Sequence, residues 1–266
     1  QILRWDLATG DSEVVYQTEL SSLLGGLAIS NDSKSLYCGG TEALIKVSLP
    51  SRKIEWQSSG RVISIVPLAN PNRLLALHSK HAEVAQVRDT STGDIIAKLN
   101  VNHLKDLRGV TPDAELAAFA SPARRDIVLA NAETLIETKR LHIEGFELAY
   151  AAYESRQGRV FGMDGKGRTV VWNAETYEVV RDSRDTKMIR TELLAIPGTE
   201  WMLSIDSVQD LLIWDPGSGK EYSRIKVPPP VKVVISRDGK QLLTTSNRNK
   251  NAIFVWDFES MRRDLK

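Results

Sequence analysis

The sequence predicts an all-β protein, a β-propeller of four-stranded antiparallel blades, seven in number with the first blade incomplete. Three observations lead there. A motif returns about every 42 residues, short apolar runs alternate with turn residues, and no segment sustains a helical period.

The motif is an apolar strand end, a polar turn and a second apolar run. It is clearest at Trp5-Asp6-Leu7-Ala8-Thr9-Gly10 and returns at Trp172-Asn173-Ala174-Glu175-Thr176, Trp214-Asp215-Pro216-Gly217-Ser218-Gly219 and Trp256-Asp257-Phe258-Glu259-Ser260. Degenerate copies begin at Val47, Arg88 and Ala130. The anchors thus fall at positions 5, 47, 88, 130, 172, 214 and 256, separated by 41 or 42 residues.

Upstream of each anchor an apolar run, a turn and another apolar run read as a β-hairpin. Ile235-Ser236-Arg237-Asp238-Gly239-Lys240-Gln241-Leu242 is matched position by position by Ile29-Ser30-Asn31-Asp32-Ser33-Lys34-Ser35-Leu36. One repeat therefore holds four short strands, a to d. In the last repeat a is 231–235, b is 240–245 and c is 252–256, with the start of d at Arg262–Lys266. A single such sheet cannot bury either of its apolar faces alone, and radial packing covers both while leaving only short edges. The first repeat begins at strand c, so the opening blade is expected to lack strands a and b. Residues 1–266 are read as one domain belonging to a longer chain.

The period, the Trp-Asp pair at the end of strand c and the Ser-x-Asp-Gly-Lys hairpin make the chain resemble the WD-repeat propellers over essentially its full length. Three copies carry the dipeptide, at Trp5-Asp6, Trp214-Asp215 and Trp256-Asp257. The resemblance implies a structural role for these anchors and Trp172, with a His before strand a and an Asp of the b–c turn completing a buried polar network with the Trp, and this chain mostly lacks both. That Asp is expected six residues before the anchor, where this chain has Lys166, Val208 and Lys250, so the network is read as mostly missing.

Composition narrows the function. Hydrophobic residues at 42% and charged residues at 26% fit a soluble globular chain, and no run approaches the length of a membrane span. A single cysteine, Cys38, lies in an apolar run, which favours a buried thiol and a reducing, cytoplasmic setting. The formal charge of +1 gives no bulk attraction to nucleic acid or membrane. No phosphate loop, nucleophile elbow or His-Glu-x-x-His motif is present, so no catalytic residue, metal or cofactor is assigned. Of the four histidines, His78 and His81 are close in sequence but lack further converging ligands.

The recurring Asp6, Asp89, Asp215 and Asp257 read as turn-forming carboxylates that accept nearby backbone N–H groups. What rises above scaffold is the sorting of charge by face. The b–c turns and d–a connections share one face, and it collects Arg61, Lys80, His81, Lys105, Arg108 and Arg124. Arg125, Lys166, Arg168, Arg184, Lys187, Arg248 and Lys250 fall there as well. Its acidic exceptions are Glu42, Asp106, Asp126, Asp164, Asp185, Asp206 and Asp210. A non-catalytic scaffold that presents this basic face and the central channel to a protein partner with an acidic segment is the expected function. Nucleic acid is not expected as a ligand. The alternative is a propeller-class enzyme, lactonase-like or quinoprotein-like, with its site at the channel mouth.

Overall fold

The computed structural model describes residues 2–6, 8–17, 26–78, 84–100, 105–110, 115–121, 125–154, 158–184, 191–206, 210–227, 232–236, 238–246 and 252–263. The protein is an all-β propeller of four-stranded antiparallel blades, and every sheet runs in sequence order.

A two-stranded sheet holds β1 (Ile2–Trp5) and β2 (Ser12–Tyr16). The next three sheets have four strands each: β3 (Gly26–Ile29), β4 (Ser35–Gly39), β5 (Ala43–Ser48) and β6 (Ile54–Ser59), then β7 (Val62–Pro67), β8 (Arg73–His78), β9 (Val84–Asp89) and β10 (Ile95–Asn100), then β11 (Lys105–Val110), β12 (Leu116–Ala120), β13 (Asp126–Asn131) and β14 (Glu137–His142). Two more four-stranded sheets follow: β15 (Leu148–Glu154), β16 (Arg159–Asp164), β17 (Arg168–Asn173) and β18 (Val179–Arg184), then β19 (Thr191–Ala195), β20 (Met202–Ile205), β21 (Leu211–Trp214) and β22 (Glu221–Ile225). The last sheet has three strands, β23 (Lys232–Ile235), β24 (Gln241–Ser246) and β25 (Ala252–Asp257), and leads into α1 (Phe258–Arg263). Six blades are thus described, and the β1–β2 hairpin occupies the c and d positions of the expected incomplete one.

The residues group into two compact units, 1–122 with 128–140 and 123–127 with 141–266. In the first, the inner strands β3 and β7 of successive blades lie side by side. In the second, β15 and β19 do the same. The middle strands β4, β8, β16 and β20 are almost wholly covered, while the outer β6, β14 and β18 are largely exposed. Facing blades interdigitate apolar side chains, as Leu75, Leu77 and Val87 do with Phe119 and Val128.

The c–d turn is built from one recipe six times. In five copies the residue after the anchor accepts two backbone N–H groups through its side chain: Asp89 takes those of Ser91 and Thr92 at 2.8 and 3.2 Å, and Asn173 those of Glu175 and Thr176 at 2.8 and 2.9 Å, while in the Val47 copy Ser48 Oγ accepts that of Ser51 at 3.3 Å. The fifth residue after each anchor then takes the left-handed conformation, with φ of 79° at Gly10, 59° at Arg52, 80° at Gly93, 57° at Leu135, 61° at Tyr177 and 76° at Gly219. Its N–H closes the turn on the carbonyl of the residue after the anchor. In the seventh copy Asp257 instead accepts the Ser260 N–H at 2.9 Å and Phe258 is fully buried. That is a helix N-cap with an apolar anchor, so α1 forms where the start of strand d is expected at 262.

Two anchor tryptophans hydrogen-bond strand b. Trp214 Nε1 donates to Ser204 Oγ at 3.1 Å, and Trp256 Nε1 donates to Thr244 Oγ1 at 3.0 Å. At the same register position the Trp172 blade has Gly162, where a Cβ would lie 3.0 Å from the indole ring, so packing replaces the hydroxyl. Trp5 is 46% exposed, and among the described residues its sheet holds only β1 and β2, with no strand b under the indole.

Two blades do carry a buried aspartate near the place where the resemblance expects one, Asp164 at the end of β16 and Asp206 just after β20. Asp164 accepts the N–H groups of Lys166 and Arg168, both at 2.8 Å, and Asp206 accepts that of Asp210 at 2.9 Å and pairs with Arg224. Each aspartate stands eight residues before its anchor, Trp172 or Trp214, and not the expected six.

Candidate functional site

After β14 the chain runs through Ile143-Glu144-Gly145-Phe146-Glu147 before entering β15. Gly145 has φ of 68°, and the Phe146 N–H returns to the Ile143 carbonyl at 3.2 Å. Phe146 is buried edge-on against Trp172, at 6.3 Å between ring centroids and 77° between planes. This anchor holds the connection down and leaves Glu144 and Glu147 exposed on either side of it.

Facing it is the b–c turn between β16 and β17, folded around the buried carboxylate of Asp164 so that Lys166 is exposed. Arg168 ties the pieces together. Its Nε and Nη2 donate to Asp182 at 2.9 and 2.7 Å, its Nη1 donates to the Glu144 carbonyl at 3.0 Å, and its guanidinium lies 5.8 Å from the Phe146 ring centroid. The pair with Asp182 raises the Arg168 pKa and lowers that of Asp182, each chiefly through their hydrogen bonds.

Between these segments lies a cavity of about 610 Å³ lined by Arg125, His142, Glu144, Gly145, Phe146, Glu147 and Lys166. A second space of about 300 Å³ continues it past Asp164 to Arg184, sharing Gly145, Glu147 and Lys166. The two form one groove. At its first end His142 Nδ1 is 2.6 Å from Asp126 Oδ1, which fixes the imidazole. Among the described residues no three His, Cys, Asp or Glu side chains converge as metal ligands.

The structure brings together Arg125 and Lys166 from the basic-face set, with Arg168 beneath them already engaged. Arg61 is exposed just before β7 in the other unit. Lys105 and Arg108 fall within strand β11, so they are strand residues and do not belong to a connection. Lys80, His81, Arg124, Lys187, Arg248 and Lys250 lie outside the described residues. The groove is also less basic than expected, because Glu144 and Glu147 line it. Nothing in their spacing sets them apart from strand residues; the Gly between them is the one local signal that the chain turns there.

No family model matches the chain, and no curated protein matches it. Among solved structures it is similar to a chain of the "Crystal Structure of Mitotic Checkpoint Complex", at 17% identity over 95% of this chain and 80% of that one, with a TM-score of 0.77. At that identity the likeness shows the fold alone.

It is a propeller likeness, carried by blade geometry and not by shared sequence. No helix among the described residues is long and apolar enough to cross a membrane.

Proposed function

We propose that this protein is a non-catalytic interaction scaffold, a divergent member of the WD-repeat propellers, that binds a protein partner carrying an acidic segment. The observation that carries this reading is the groove beside Phe146. It is large enough for several side chains, its lining residue Phe146 is held by Trp172 and Arg168, and its rim offers the exposed cations Arg125, Lys166 and Arg184. A preorganised rim of this kind favours recognition, since its ordering cost is met by the fold and not at binding. The likeness to a chain from a multiprotein assembly is consistent with it.

A second reading as a propeller-class hydrolase draws on the Asp126–His142 hydrogen bond at 2.6 Å beside the cavity, an arrangement that can orient a general base. It needs a turnover that His142→Ala abolishes in a lactone panel. For the scaffold, the immobilised protein should capture a defined set of partners from lysate, less strongly as salt rises. Arg125→Glu combined with Lys166→Glu should deplete that set. A capture profile identical for both proteins at every salt concentration rejects the reading.

A further inference from the structure

Four charged side chains of the groove are exposed and form no ion pair or side-chain hydrogen bond with another described residue: Glu144 and Glu147 on the β14–β15 connection, Lys166 on the β16–β17 turn and Arg184 at the end of β18. Their surroundings are spent. Asp164 is occupied by two backbone N–H groups, Arg168 by Asp182 and the Glu144 carbonyl, and His142 by Asp126. Beside Arg125, these four charges, two of each sign, therefore line a single groove without neutralising one another across it. A uniformly acidic ligand satisfies Lys166 and Arg184 but is opposed by Glu144 and Glu147. A uniformly basic one meets the reverse conflict.

An extended chain resolves this. Successive side chains of a strand point to opposite sides, so acidic residues alternating with basic ones present one sign to the connection and the other to the turn. We infer that the groove binds an extended peptide segment of alternating acidic and basic side chains. Lys166 and Arg184 receive its carboxylates, and Glu144 and Glu147 receive its cations. This rests on the scaffold reading and names the partner's chemistry at that same site. Like-charge contacts make the groove selective, because a segment with the wrong sign order places repulsive pairs in both walls.

The test uses three labelled octapeptides, alternating Glu-Lys, a block of four Glu followed by four Lys, and all Glu, titrated with the whole protein and read by fluorescence anisotropy. The alternating peptide should bind about tenfold more tightly than the block peptide of identical composition, and the difference should shrink with added salt. Lys166→Gln and Glu147→Gln should each weaken the alternating peptide, and Glu147→Gln should strengthen the all-Glu peptide. Circular dichroism of both variants guards against misfolding. Equal binding of alternating and block peptides overturns the inference, as does tightest binding of all Glu to the unaltered protein. Either result leaves the scaffold reading standing if lysate capture still depends on Arg125 and Lys166; loss of both removes the two together.

Discussion

His78 shows what a single buried side chain imposes. It closes β8 at 8% exposure with its Nε2 buried and unbonded among the described residues, and burial, then the charges of Arg88 and Lys98, push its pKa down to about 4. The unfolded chain takes up this proton near the ordinary value of about 6.5. The folded state resists it, so His78 costs no stability above that pH and lowers stability progressively as the pH falls from 6.5 to about 4. The loss is on the order of 3 kcal/mol once complete. Denaturation midpoints measured across this range should therefore fall more steeply for the protein than for His78→Gln. Parallel curves would mean the imidazole is not held neutral. At this scale the sequence was only partly legible. Cys38 is buried as expected, with burial pushing its pKa up to about 12, but the depth of His78 and of Asp164 depends on segments far away in the chain.

The repeated turns are the element on which the fold is most dependent. At Gly93 two requirements coincide: φ is 80°, and an added Cβ would lie 2.9 Å from the Trp56 ring, whose Nε1 donates to the Thr90 carbonyl at 3.0 Å. Trp56 belongs to the outer strand of the preceding blade, so the glycine serves both turn and blade packing. Arg181 uses the same geometry one unit on, donating to the Pro216 carbonyl at 3.1 Å above Gly219. Gly93→Ala should destabilise by about 1–3 kcal/mol. Ser33 has φ of 60° at the hairpin position that Gly239 fills in the last blade, is exposed and carries no packing load. Ser33→Gly should be neutral or stabilise by up to about 0.5 kcal/mol. Urea midpoints that move in the same direction for both substitutions would refute this account of the turns. These elements were legible in the sequence because their determinants are local. An Asp or Asn bonds N–H groups two and three residues on, and its spacing from the anchor is conserved by the turn itself.

On the scale of the whole molecule several blades repeat one gradient of burial, from the covered middle strands β8, β16 and β20 to the exposed outer strands β6, β14 and β18. Amide hydrogen exchange should follow it, with β8, β16 and β20 exchanging slowest and β6, β14 and β18 fastest in both units. Outer strands as protected as middle strands would show that some further layer covers them. By itself the sequence determined the schedule of strands, the recurring turns and the starting point of the first sheet at strand c, because each follows from alternation and hydrogen bonds within a few residues. It also assigned Arg125 and Lys166, which line one cavity, to the same set of connections. Only the tertiary structure decided that Lys105 and Arg108 lie in a strand, that Arg168 is consumed by Asp182, and that Glu144 and Glu147 share a groove with Lys166 and Arg184. The physical reason is range. Turn chemistry acts along the chain, whereas the neutralisation and exposure of a charge depend on distances between segments that only packed sheets bring together.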